Sequence, residues 1–201
     1  MPRRPLSRGL PRGTSDAVSA PEIFDRVARR LHRDRAAPDY AAYDFLRAVM
    51  VDGLADRLDT VKRDFTDMLD LGCFDAAFPA PPGVQVTRCD AGATFAQAAG
   101  GVQADEDRLP FASESFDLIV SAGVLDTVND LPGALAMARR MLRPDGLFLA
   151  AIPGNGTLQE LREVLLAAES EITGGASPRV LRRFYHVPAS NTAVGHLILE
   201  N

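Results

Sequence analysis

"FDLIVSAGVLDTVNDLPGALAMARRMLRPDGLFLAAI", residues 116–152, carries the pattern that decides the fold. It opens with an apolar run of strand length, 116–121, and closes with another, 147–152. Between them Pro132 suits a first helical position, and Leu131, Leu135, Ala138, Met141 and Leu142 recur at the spacing of one helix face. "RPDG" at 143–146 supplies the turn chemistry that ends such a helix. Two buried strands joined by one helix are a parallel crossover unit, so an α/β chain with helices on both faces of its sheet is expected.

Working outward, the same alternation extends toward the N-terminus. Candidate strands lie at 66–71 "TDMLDL", 84–89 "VQVTRC" and, shorter, 101–104 "GVQA". With 116–121 and 147–152 they make an open, mostly parallel sheet. After the last of them, Thr157 and Glu160 have capping-box spacing, opening a helix with Leu158, Leu161, Leu165 and Ala168 inward. The final residues supply one hairpin, 183–187 with 194–199, and without it the fifth strand would be an exposed edge.

Two helices precede every strand. Ile23, Val27 and Leu31 form the apolar stripe of the first, and Leu46, Met50, Leu54 and Leu58 that of the second. The intervening "RVARRLHRDR" reads as a solvated, charged face, with a partner-binding surface as the alternative. Residues 1–20 hold four Arg and three early prolines. They read as a disordered basic tail, the alternative being a mitochondrial targeting segment.

At 201 residues, 46% hydrophobic and 24% charged, the chain can bury one core. Its net charge of −5 argues against a nucleic-acid partner, because phosphate neutralisation needs a concentrated basic surface. A small-molecule or protein partner is expected. No apolar run reaches the roughly 20 residues of a membrane span, so a cytoplasmic protein is expected, or one of the mitochondrial matrix if the Arg-rich start is a leader. Cys73 and Cys89 lack metal-ligand spacing, and no metal site is expected.

Ligands of open parallel sheets sit beyond the carboxyl ends of the strands. There this chain places Asp70, Gly72 and Cys73 after the first strand and Asp90 after the second. Asp105 and Glu106 follow the third, and Ser121 closes the fourth. A carboxylate after the second strand suits the two hydroxyls of a ribose, and one after the third suits an adenine amino group.

"IFDR" at 23–26, "LDLGC" at 69–73, "LPFASESFDLIVSAGVLDTVNDLPGAL" at 109–135 and "LRPDGLFLAA" at 142–151 together resemble the class I S-adenosylmethionine-dependent methyltransferases. The resemblance is to members near the mitochondrial complex I assembly methyltransferase and the malonyl-carrier O-methyltransferase of biotin synthesis. It implies a seven-stranded Rossmann-like sheet with its C-terminal strands reduced here, and S-adenosylmethionine as cofactor. Asp70 and Gly72 would lie near the methionine end, Asp90 at the ribose and Asp105 at the adenine, with Cys73, Glu106 and Ser121 beside them. Residues 21–201 then form one methyltransferase-like domain: N-terminal helices at 21–60, a core at 65–172 and an atypical tail at 179–201.

The chain departs from that pattern in three places. Phe74 and Ala76 stand where the family's glycine loop continues, and only 11 residues, three of them proline, separate Gly72 from Val84, so the first crossover helix must be very short or absent. Leu125-Asp126-Thr127 stands where relatives often carry Leu-His-Trp. The substrate-covering insertion of the family has no counterpart. Asp126 reads as a loop acid, with a base near the methyl group as the alternative, and Asn129 and Asp130 read as helix caps. His32, His186 and His196 are scattered, and no catalytic residue is assigned. Two functions remain: a methyltransferase of unknown acceptor (small molecule, carrier-bound acid or protein side chain), or a non-catalytic methyltransferase-fold scaffold or complex I assembly-type factor with weak or no cofactor binding.

Overall fold

Leu118, Ile119 and Val120 are sealed from solvent at the centre of a six-stranded sheet, covered on both faces. The computed structural model describes residues 22–154, 157–175 and 194–200, the last by their backbone. The strands are β1 (Asp67–Leu71), β2 (Gln85–Asp90), β3 (Val102–Gln103), β4 (Phe116–Ala122), β5 (Leu142–Pro153) and β6 (Val194–Glu200), in the order β3-β2-β1-β4-β5-β6. The first five pair in parallel and β6 runs antiparallel to β5, from Leu147 opposite Glu200 to Pro153 opposite Val194. Strand order reverses between β1 and β4, which is where a crevice opens in such sheets.

Side-chain alternation distributes the core. Met68, Leu118, Val120 and Leu149 point to one face, where α2 (Phe45–Asp59) covers them with Met50, Leu54 and Leu58. Leu69, Leu71, Ile119, Phe148 and Ala150 point to the other, beneath Ala134, Ala138 and Met141 of α4 (Leu131–Met141). Each of the larger of these buried side chains, Leu, Ile, Val, Phe or Met, contributes about 1.5–3 kcal/mol. A short helix, α3 (Ala93–Ala98), follows β2, and α5 (Gln159–Thr173) follows β5.

Among the described residues the sheet has six strands, the family's seven with the C-terminal strands reduced. Several other expectations are corrected. Residues 194–200 pair with β5 and cover its edge; the proposed hairpin partner at 183–187 lies outside the described residues. Leu158, with φ of 51°, precedes α5 without any side-chain cap, so the Thr157–Glu160 capping box does not form. Leu158, Leu161 and Leu165 are exposed, and α5 buries no residue. Leu46 is likewise exposed, although Met50, Leu54 and Leu58 beside it are buried. "RPDG" does not follow the helix as a free turn. Leu142 already pairs with Phe116, and 143–146 loop out before pairing resumes at Leu147 opposite Leu118.

The β1–β2 crossover does run without a helix. Gly72, Phe74 and Ala76 all adopt positive φ (78°, 46° and 60°), followed by Pro79, Pro81 and Pro82. The remaining helix, α1 (Arg26–Ala36), joins α2 through a 3-10 turn at Ala37–Ala42. It crosses the carboxyl ends of the strands.

Candidate functional site

The strand ends assemble the residues that the sequence picked out. Asp70 lies one position before the end of β1, and the Gly72 and Cys73 amides both donate to the Cys89 carbonyl of β2 (2.8 and 3.0 Å). Gly72 cannot carry a Cβ, which would strike the Val124 side chain. Asp90 ends β2, and its carbonyl accepts the Ala104 amide (3.0 Å), bringing Asp105 and Glu106 alongside. Asp70, Asp90, Asp105, Glu106 and Ser121 are all buried, and the Ser121 hydroxyl has no hydrogen-bond partner among the described residues.

What the sequence did not reveal is the partner of these acids. Arg33 of α1 donates Nε to Asp90 Oδ1 (2.8 Å) and Nη2 to Asp90 Oδ2. Arg30 grips Asp105 through Nε (3.1 Å) and Nη2 (2.7 Å). Arg29 reaches Glu106 Oε1 (2.8 Å) and the Thr127 hydroxyl (3.0 Å), while Arg26 holds both oxygens of Asp107 (2.6 and 2.7 Å). Although burial alone would raise it, the Asp107 carboxyl is held below the usual carboxylate range by Arg26. His32 and Arg35 are exposed, but the face of "RVARRLHRDR" that carries Arg26, Arg29, Arg30 and Arg33 is therefore not the solvated one. It is the inner face of α1, and the apolar stripe expected to point inward is outside: Ile23, Val27 and Leu31 are 50%, 66% and 48% exposed. Four bidentate pairs set this orientation, Arg29 reaching the second Glu106 oxygen as well (2.7 Å), because the buried carboxylates beneath would otherwise be left without counter-charges.

Asn129 is also reassigned. Its side-chain oxygen accepts the Ile23 and Phe24 amides (2.8 and 2.7 Å) and its nitrogen donates to the Phe24 carbonyl (2.9 Å), tying down the segment before α1. Asp130 alone caps α4, accepting the Gly133 amide (2.9 Å). At the far end of α1, Asp34 accepts the Thr94 amide at the start of α3 (2.8 Å).

Phe74, the residue that breaks the glycine loop, anchors an aromatic cluster. Its ring stacks on Tyr40 (4.9 Å between centroids) and meets Phe95 edge-on (5.4 Å). The Arg33 guanidinium lies 3.9 Å from its centroid, and that of buried Arg47 lies 4.9 Å away. Desolvated cation–π contacts of this kind contribute up to about 2 kcal/mol each. Arg47 also donates to the Cys73 carbonyl and to Asp75 (both 3.0 Å), so the rebuilt loop is pinned from α2.

Burial shapes the electrostatics. It pushes Asp70 up to about 6, against the pull of Arg47 and Arg88. Asp126, half-buried in a 3-10 turn at Leu125–Thr127, is raised for the same reason, and its Oδ1 has no hydrogen-bond partner among the described residues. Asp126 borders a cavity of about 400 Å³ between α1 and the end of β4, together with Phe24, Arg29, His32 and Gly123. His186 lies outside the described residues. Burial raises both thiols, that of Cys73 to about 12. Neither is solvent-accessible. In native protein at pH 8 a disulfide reagent should therefore label both about a hundredfold or more slowly than in denaturant; prompt labelling of either would show that the strand ends are open.

S-adenosylmethionine is the cofactor that the resemblance implies, and the closed arrangement does not fit it. Both Asp90 oxygens accept from Arg33 and each also accepts a main-chain amide, from Gly92 (2.7 Å) and Phe74 (3.0 Å), which leaves nothing for ribose hydroxyls. Asp105 is similarly taken by Arg30, and the Arg33 guanidinium lies between the acids and the crevice, over the Phe74 ring.

Comparison with known proteins places the architecture. Residues 69–150 match the model of a methyltransferase domain. Over these residues the chain therefore carries a methyltransferase domain. The chain is 36% identical over 191 residues to mouse arginine-hydroxylase NDUFAF5, mitochondrial, covering 89% of this chain and 56% of that one. It is 30% identical over 181 residues to the malonyl-[acyl-carrier protein] O-methyltransferase of a Methylovorus species, covering 80% and 60%. It thus spans somewhat over half the length of these curated relatives. A solved S-adenosylmethionine-dependent methyltransferase from Thermotoga maritima superimposes with a TM-score of 0.55 at 17% identity, over 78% of this chain and 74% of that one, which shows the shared fold. The methyltransferase match begins at β1, so α1 and its arginines lie before it. Among the described residues no helix is long and apolar enough to cross a membrane, and no group of three potential ligands is placed to hold a metal ion.

Proposed function

We propose that this methyltransferase-family protein is an assembly-type factor of the respiratory complex I kind. It works through a protein partner and binds S-adenosylmethionine weakly or not at all. One observation carries the reading: Asp90, the carboxylate suited to a ribose, already accepts four hydrogen bonds from Arg33, Phe74 and Gly92. The relatives at 36% identity support it, because they are named for arginine hydroxylation rather than methyl transfer. Their mitochondrial designation favours the matrix over the cytoplasm as the compartment.

A second reading keeps methyl transfer, with the acceptor a small molecule, a carrier-bound acid or a protein side chain. It draws on the cavity that Asp126 lines, since a carboxyl raised by burial in a cleft is a mark of functional sites. Titration of the full chain with S-adenosylhomocysteine separates the two. The assembly reading expects at most weak, millimolar binding and a thermal midpoint unmoved by micromolar ligand. Micromolar binding would overturn it in favour of the second.

A further inference from the structure

We infer that α1 is a displaceable latch, and that this helix, rather than the rebuilt β1–β2 loop, keeps nucleosides from the strand-end acids. The inference deepens the functional reading above and rests on it for the state of the site. Its foundation is the inverted orientation of α1. A helix that covers a core does so with its apolar face, whose burial supplies most of its docking energy. This one buries no residue and turns Ile23, Val27 and Leu31 to solvent. Its attachments are polar or cation–π: Asn129 before its first turn, Arg26, Arg29, Arg30 and Arg33 along its length, the last also over the Phe74 ring, and Asp34 near its end.

Such attachments make for reversible docking. A buried ion pair is opposed by the cost of desolvating both partners, so docked and released states lie closer in free energy than the number of contacts suggests. On release the arginines and the acids both regain water, and little hydrophobic burial is lost. The remaining fold does not depend on α1, because both core clusters are built from α2, α4 and the sheet. Segments with few buried apolar contacts open locally, well below the threshold for global unfolding.

Release would expose Asp90, Asp105, Glu106 and Asp107 along one edge of the crevice. Freed of the arginines, these carboxylates regain acceptor positions, Asp90 keeping only the Phe74 and Gly92 amides, and above the β1/β4 switch point they suit a ligand carrying a vicinal diol and an exocyclic amine. The 3-10 turn at Ala37–Ala42 is the segment about which α1 would swing.

The test uses amide hydrogen exchange and ligand titration on the full chain. In the wild type, amides of residues 30–36 should exchange at least tenfold faster than those of β4. Combined Arg26→Gln, Arg29→Gln, Arg30→Gln and Arg33→Gln substitution should accelerate them at least tenfold more while β4 stays protected. Protection of α1 equal to that of β4 in the wild type overturns the latch. In the same variant, adenosine and S-adenosylhomocysteine should bind at least tenfold more tightly than to wild type. A variant with free α1, an intact sheet and no gain in binding overturns the inference by assigning the closure to the loop. Arg33→Gln alone makes the same test with the least disturbance if the fourfold variant fails to fold. Tight binding by the wild type would sink the assembly reading instead. In that event α1 should lose protection when ligand is added, and unchanged protection would overturn the latch.

Discussion

Replacing Asp90 with alanine should lower the unfolding free energy by about 3–5 kcal/mol, measured by denaturant titration, because it strands a buried arginine. The Asp90 side chain is fully sealed and that of Arg33 is 11% exposed. Removing the carboxylate leaves the guanidinium with its ring contacts to Phe74 and Phe95 but without its counter-charge, and leaves the Phe74 and Gly92 amides without acceptors. Unsatisfied buried donors cost about 1–3 kcal/mol each. Such a loss is a large share of the 5–15 kcal/mol by which domains are typically stable. If α1 swings away in the variant, Arg33 is rehydrated and the loss falls toward the lower bound. A loss below about 1 kcal/mol would mean that the Arg33–Asp90 pair does not hold the strand ends closed.

Asp70 should behave in the opposite sense to most native carboxylates. Its folded value near 6 lies above the usual 3.8, so the folded state binds the proton more tightly than the unfolded chain. The contribution of Asp70 to stability should then be greatest at and below about pH 4, fall as pH rises through the window from 3.8 to 6, and level off above it, against the opposite trend of Arg-paired acids such as Asp107. At about 1.4 kcal/mol per pH unit the penalty at neutral pH is on the order of 3 kcal/mol. Asp70→Asn should remove it, stabilising the protein by up to about 3 kcal/mol at pH 7.5 and by nothing at pH 4. Denaturant midpoints of both proteins across pH 4–8 make the comparison. A destabilised Asn variant at neutral pH would show that Arg47 and Arg88 hold the charged form more firmly than burial opposes it.

The sheet was legible because its strands are short apolar runs whose type does not depend on what covers them, and α4 because Pro132, its apolar face and Asp130 agree. The acids were legible by position, since strand ends follow from strands. The orientation of α1 was not. Periodicity reports that Ile23, Val27 and Leu31 share a face, but not which surface of the protein meets the helix. The deciding partner, a row of acids starting at Asp90, lies 57 residues from Arg33, beyond any local signal. Asn129 misled for a similar reason: capping residues are recognised by type, and the amides it accepts belong to Ile23 and Phe24, more than 100 residues away. Alternating arginines and aliphatics at 26–33 were the available clue, read as solvent facing core.

β6 gives the sheet a temporal weakness. β5 is complete at Pro153, but the strand that covers its edge starts at Val194, 41 positions later. At a synthesis rate of about 5–20 residues per second, the five parallel strands can be assembled on the ribosome for roughly 2–8 seconds before their edge is closed. Through that interval "LFLAAI", 147–152, without a charged residue to deter pairing, is open to any extended segment nearby. Yield of native protein should therefore depend on how crowded the nascent chain is during those seconds, more than on the stability of the finished fold.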